Sequence, residues 1–295
     1  MKIAGVDIGG TEIKYCVYDT DEPFSIDIVK RSPTHAEKGG MSVAENAMNL
    51  LSDAGHFDRV SISSAGQVNP KTGEIIYANE NIPDYTGVQL GTLFSKRYNV
   101  PVAVENDVNA AILAEALCGA ERLSDFVIGL TYGTGIGGAI VQDGKLFYGS
   151  SSSAGEFGHI ITHAGGLDCV CGNQGCYEAY ASTGALTRMA EKRFGKPLSG
   201  REIVSQCKDP GYASLINDWI DEVIYGLVTI VHIFNPRDLI LGGGIMENDY
   251  IFTSVTKKLL DNIMTSYRNL NVRAAQFGNA AGLRGAIHLA QMTDS

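Results

Sequence analysis

Lys2-Ile3-Ala4-Gly5-Val6-Asp7-Ile8-Gly9-Gly10-Thr11-Glu12-Ile13-Lys14-Tyr15-Cys16-Val17-Tyr18 is the stretch on which the fold turns. Lys2 to Ile8 is an apolar run, Gly9-Gly10-Thr11 is a turn signal, and a strand pattern resumes at Ile13. A β-hairpin with a glycine corner is predicted. Phe126 to Lys145 repeats the arrangement: an apolar strand, a glycine turn, then Ala139-Ile140-Val141. An offset of 124 positions aligns Gly5 with Gly129, Gly9 with Gly133, Val17 with Val141 and Asp19 with Asp143. The repeat predicts a duplicated core, each half opening on a hairpin whose glycines can face phosphate.

Between the hairpins the chain alternates. Helices are expected over 43–54, 88–98 and 109–117, with strands over 59–63 and 101–104. The second half adds helices over 182–193 and 212–234, a strand over 238–241 and a closing helix over 283–292. Such alternation implies a mostly parallel sheet with covered faces, an α/β fold. No low-complexity linker is visible, so the domain boundary is set by the repeat, near Leu117–Ala120. This gives a first domain over 1–117 and a second over 118–282.

Composition narrows the function. With 295 residues, 44% hydrophobic and 19% charged, the chain is an ordinary globular one. A formal net charge of -10 argues against a nucleic-acid surface. The apolar block Val223 to Phe234 is too short to span a bilayer and reads as a buried helix. No secretory pattern comes after Met1-Lys2. Three of the six cysteines cluster, which favours metal binding in a reducing compartment, so a cytoplasmic protein is expected.

Four segments could carry chemistry. Asp7-Ile8-Gly9-Gly10-Thr11 sets a carboxylate at a strand end, then exposed backbone N–H groups, then a hydroxyl. Phosphate needs close donors and magnesium a nearby carboxylate. Gly133-Thr134-Gly135-Ile136-Gly137-Gly138 is the equivalent loop of the second half, without the Lys-Ser/Thr pair of a P-loop. Glu105-Asn106-Asp107 follows a strand and precedes a helix, where α/β sheets bind ligands. An Asp there could take a proton from a sugar hydroxyl, with Asn106 holding neighbouring hydroxyls, or it could simply cap the helix. Cys169, Cys171 and Cys176, with His159 or His163 as a fourth ligand, have a spacing suited to a closed tetrahedral zinc site. Glu156 and Glu178 flank that cluster and could accept hydrogen bonds from a polyol.

Read together, Asp7 to Lys14, Glu105 to Ala110, Gly133 to Gly138, Gly155-Glu156-Phe157-Gly158-His159, Cys169 to Glu178, and Asn235-Pro236 through Leu241-Gly242-Gly243-Gly244 resemble, in order, the motifs of the ROK family of sugar kinases. The resemblance implies a two-lobed actin-like fold, a duplicated ribonuclease H-like core with the active site in the interlobe cleft. The closing helix, 283–295, would return to the first lobe. It implies Asp107 as general base, and Gly66, Asn106, Glu156, His159 and Glu178 as sugar ligands. Asp7, Gly9, Gly10, Thr11, Lys14, Gly133, Thr134, Gly135 and Gly243 would serve Mg-ATP. His159, Cys169, Cys171 and Cys176 would hold a structural zinc, and a homodimer is expected. One departure stands out: where the family has Gly-x-Pro-Gly near the sugar, this chain has Ser63-Ser64-Ala65-Gly66-Gln67-Val68-Asn69, retaining Gly66. That change bears on the sugar and leaves the phosphoryl-transfer residues intact.

The expectation is therefore an ATP-dependent kinase acting on a hexose hydroxyl, glucose 6-OH first. A β-glucoside kinase and an N-acetylmannosamine kinase are the rivals within the class. A sugar-binding sensor without catalysis is the rival outside it. Neither nucleic acid nor membrane is expected as a partner.

Overall fold

The computed structural model describes residues 1–22, 26, 30–119 and 123–292. Along the chain run β1 (Lys2–Ile8), β2 (Glu12–Asp19), β3 (Lys30–Pro33), α1 (Gly40–Leu51), β4 (Arg59–Ser64), β5 (Gln67–Asn69), β6 (Glu74–Tyr77) and α2 (Leu90–Tyr98). Then come β7 (Val102–Asn106), α3 (Asp107–Leu117), β8 (Phe126–Tyr132), β9 (Ile136–Gln142), β10 (Lys145–Leu146), α4 (Glu178–Ala181) and α5 (Thr183–Phe194). The remainder is α6 (Gly200–Ser205), α7 (Pro210–Phe234), β11 (Asp238–Gly242), α8 (Asp249–Asn262), β12 (Asn271–Ala274) and α9 (Ala281–Met292).

The chain divides into two compact units. The first gathers Met1–Arg122, Leu146–Ala154 and Asn279–Ser295; the second gathers Leu123–Lys145 and Gly155–Gly278. Position 120 of the expected boundary and positions 293–295 of the expected closing helix lie outside the described residues.

Each unit is built on a five-stranded sheet of one topology. In the first the order is β3-β2-β1-β4-β7, in the second β10-β9-β8-β11-β12. β1 pairs antiparallel with β2, placing Asp7 opposite Lys14, and parallel with β4. β8 likewise pairs antiparallel with β9 and parallel with β11. The duplication read from the glycine spacing is thus present as two copies of a hairpin followed by parallel strands.

Strand alternation sorts the first core into two faces. Ala4, Val6 and Ile8 are buried with Val43, Ala47 and Leu51 of α1. On the other face Ile3, with Cys16 and Tyr18, packs on Leu283, Ile287 and Ala290 of α9. Each fully buried Val, Leu or Ile side chain among them contributes about 1.5–3 kcal/mol. The second core centres on α7, which starts at the Asp209 cap with Pro210 in its first turn. Its buried Trp219, Val223, Leu227 and Val231 share a cluster with Ile128, Leu130, Leu239 and Leu241 of the sheet. The Trp219 indole N–H donates to the carbonyls of Ala181 and Ser182, both at 3.1 Å. The apolar block at 223–234 is therefore the end of a core helix. Among the described residues no helix is long and apolar enough to cross a membrane.

α9 lies so close to α3 that a Cβ on Gly285 would overlap the carbonyl oxygen of Ala110. Backbone offers no flexible atom to move aside. Gly285→Ala is expected to destabilise the protein by about 1–3 kcal/mol, the usual cost of overpacking, read as a lowered thermal midpoint.

Candidate active site

In the first unit the carboxyl ends of β1, β4 and β7 lie side by side. Parallel pairing sets Asp7 next to Ser63 and Ser63 next to Glu105, with Ser64 next to Asn106. Asp7 is held from two sides: its Oδ2 lies 2.8 Å from Lys14 Nζ, and its Oδ1 accepts from Ser63 Oγ at 2.7 Å. The Gly9-Gly10-Thr11 corner comes directly after, closed by Gly9 N–H donating to the carbonyl of Glu12 at 3.0 Å.

Asn106, not Asp107, caps α3. Its Oδ1 accepts from the N–H groups of Val108 and Asn109, both at 3.0 Å. Its Nδ2 donates to the carbonyl of Gly66 at 2.9 Å and to Asp107 Oδ1 at 3.0 Å. The amide has thus spent two acceptances and both donors inside the protein. Asp107 is the first helical residue, partly buried. Burial, and then the charge of Asp7, push its carboxyl from the ordinary 3.8 up to about 7. Such a carboxylate is tuned to take a proton near neutral pH. Behind it, Glu105 is 2% exposed and raised by burial.

In the second unit, the Gly133-Thr134-Gly135 corner joins β8 to β9. Gly133 N–H donates to the carbonyl of Gly135 at 3.0 Å, and the Gly133 carbonyl accepts from Gly184 N–H at 3.3 Å. The corner opens on a cavity of about 870 Å³ lined by Gly133, Thr134, Thr183, Ser199, Arg201 and Glu247, among others. Its size suits a nucleotide. Gly244 also lines it. The neighbouring Gly243 has φ 92°, and a Cβ there would overlap the Tyr132 carbonyl, so glycine lets the end of β11 cross the end of β8. Sequence pattern points to Gly133, Thr134 and Gly243 but not to the wall made by α5 and α6. One signal was legible: Ser199-x-x-Glu202 is a capping box, and both of its reciprocal bonds are made.

The cysteine loop converges. His159, Cys169, Cys171 and Cys176 each offer a ligand atom, all within 4.8 Å of one another. Cys171 Sγ and Cys176 Sγ are 3.6 Å apart, as are Cys169 Sγ and His159 Nδ1. Tetrahedral zinc at ordinary bond lengths sets sulfurs about 3.8 Å apart, and sulfur and nitrogen about 3.6 Å apart. The donor set fits that metal. His163 is elsewhere: its ring stacks on Tyr180 at 4.0 Å and its Nε2 lies 3.5 Å from Glu222. The choice between the two histidines falls to His159. Glu178 joins this cluster to the glycine corner, its Oε2 accepting from Ile136 N–H at 3.2 Å and its Oε1 from Cys169 Sγ at 3.3 Å. Glu156 Oε2 lies 3.9 Å from His159 Nε2.

The fold is the actin-like, two-lobed one of sugar kinases, and the relatives of the chain make it a carbohydrate kinase. The chain belongs to the ROK family, whose model matches residues 3–293. It is 32% identical over 307 residues to a glucokinase of Thermotoga maritima, covering 97% of this chain and 96% of the relative. A β-glucoside kinase of Listeria innocua is 33% identical over 298 residues, covering 98% and 97%. Among solved structures, a ROK family glucokinase from Streptomyces griseus in complex with glucose and AMPPNP superposes with a TM-score of 0.84 at 31% identity, covering 99% of this chain and 100% of that one.

The raised Asp107 carboxyl has a consequence for stability. The folded state keeps a proton that the unfolded chain releases near pH 4, so the stability Asp107 contributes is present below that pH and is lost as pH rises through about 7. Asp107→Asn keeps a neutral side chain throughout. Its thermal midpoint should match that of the unaltered protein near pH 4 and exceed it at about pH 8, measured by unfolding at both values.

Proposed function

We propose that this protein transfers the γ-phosphoryl group of ATP to a hydroxyl of a hexose, glucose 6-OH being the first assignment. The observation that carries the reading is the partly buried Asp107, raised to about 7 at the carboxyl ends of the strands and beside Asp7. The hydroxyl oxygen forms its bond to the γ-phosphorus as the bond to the ADP oxygen breaks, and the hydroxyl proton passes to Asp107. Backbone N–H groups at the Gly9-Gly10-Thr11 and Gly133-Thr134-Gly135 corners stabilise charge on the transferring group. Lys14, 2.8 Å from Asp7 Oδ2, holds that carboxyl group in place at the strand end, where it would meet the magnesium that accompanies ATP. Gly243 serves the adenosine side, where the lining by Thr183 and Arg201 extends the set read from sequence.

Glu156, His159 and Glu178 serve as acceptors and donors for sugar hydroxyls, and Gly66 is assigned to the sugar as well. Asn106, fully bonded within the protein, would reach a sugar only by giving up one of its bonds. His159, Cys169, Cys171 and Cys176 would hold zinc with no position left for a reacting water, its chemistry there being structural. The homodimer and the cytoplasmic setting belong to this reading as well.

Coupled ADP release with Mg-ATP tests the function, against glucose, mannose, N-acetylmannosamine, N-acetylglucosamine and cellobiose. One hexose should be favoured in kcat/KM, and Asp107→Asn should fold and lose about 10²–10⁴-fold in kcat. Preference for cellobiose or N-acetylmannosamine would reassign the sugar. Binding of sugars without turnover of any would make the protein a sensor.

The metal has its own test. Atomic absorption on freshly purified protein should find one zinc per chain, and Cys171→Ser should lose it and lower sugar affinity. Zinc-free native protein would refute the assignment.

A further inference from the structure

Glu105 is a buried acid that the proposed reaction leaves idle, yet it is fully bonded. Its Oε1 accepts from the backbone N–H of Asn106 and from Asn109 Nδ2, both at 2.9 Å. Its Oε2 accepts from the phenol of Tyr148 at 2.7 Å. Tyr148 lies on Leu146–Ala154, a segment that belongs to the first unit although its neighbours in the chain belong to the second. The same segment is tied down again at Ser153, whose hydroxyl donates to Gln67 Oε1 at 3.0 Å. Gln67 comes after Gly66, whose carbonyl accepts from Asn106 Nδ2.

These bonds close a circuit: Asn106 to Gly66, along the chain to Gln67, across to Ser153, back through the segment to Tyr148, then Glu105 and Asn106 again. Asp107 is attached to this circuit at Asn106, whose Nδ2 donates to its Oδ1 at 3.0 Å. We propose that Tyr148, acting through Glu105, is a positioning residue for Asp107. An acid bonded by three donors holds the turn before α3 at a fixed place, and the phenol supplies the one donor that does not come from the turn or the helix. Without it, one oxygen of a buried carboxylate lacks its partner, and Glu105 must turn or take a proton to compensate. Either response moves the Asn106 N–H and the carboxylate beside it. Misplacing a reacting group by about 1 Å costs up to about 10²-fold in rate while leaving substrate binding alone.

The inference rests on the kinase reading, with Asp107 as base. Its test is Tyr148→Phe, measured with the best sugar of the panel and Mg-ATP, alongside amide hydrogen exchange of the 105–109 peptide. A fall in kcat of about tenfold is expected, with both KM values within about twofold and the thermal midpoint within about 4 °C of the unaltered protein. Exchange in the peptide should quicken. Glu105→Gln, which keeps an oxygen for the Asn106 N–H, should retain more kcat than Glu105→Ala. A kcat loss of less than about threefold, or one matched by a rise in either KM, overturns the inference. So does unchanged exchange. If the unaltered protein turns over no sugar, the kinase reading fails on its own, and the exchange measurement still decides whether Tyr148 fixes the turn.

Discussion

Two carboxylates at the ends of nearby strands cannot both be ionised cheaply when water is partly excluded from them. The first unit is organised around that cost. Asp7 is given a cation in Lys14 and a hydroxyl in Ser63. Asp107 Oδ1 accepts instead from Asn106 Nδ2 and from the N–H of Val108. One acid is thus held by a cation and a hydroxyl, and the other is raised to about 7 by burial and by the charge of Asp7. The sheet makes it possible, because β1 must pair with β2 to bring Lys14 opposite Asp7 and with β4 to bring Ser63 beside it.

The second unit uses the same architecture for a different purpose. Its glycine corner carries no carboxylate at the position equivalent to Asp7, where the chain has Thr131. In place of a charged strand end it has a wide cavity walled in part by the first turns of α5 and α6. Glu178 reaches from the cysteine loop to the corner, so the loop's conformation and the corner's are mechanically joined. One sheet topology thus supports two kinds of site, and the difference lies in the residues and helices that each strand leads into.

Much of this was readable in the chain because it depends on local pattern. The glycine corners, the parallel strands and the long core helix reflect periodicity, and helix ends such as Leu90 and Thr183 lie within a few residues of expectation. What resisted reading depends on distant parts of the chain meeting. Nothing near Tyr148 signals a bond to Glu105, 43 positions earlier. Asp107 looked as able as Asn106 to cap α3; the folded chain gives the cap to Asn106, which also bonds the carbonyl of Gly66, 40 positions away. Spacing by itself left His159 and His163 both open, the resemblance pointed to His159, and the folded loop brings His159 to the cysteines. The short pair β5–β6 and the edge strand β12 carried too few residues to show a period.

The placement of α9 also imposes an order in time. The face of β1 bearing Ile3 is covered by Leu283 and Ile287, so the first unit has its opening strand early and the cover for that strand last. All of the second unit's residues are synthesised in the interval, which at ordinary rates of about 5–20 residues per second lasts tens of seconds. During that wait the emerging chain carries a half-finished sheet with one apolar face bare. The first unit can therefore complete its core only once α9 has emerged, whereas the sheet of the second is complete once β12 has been made.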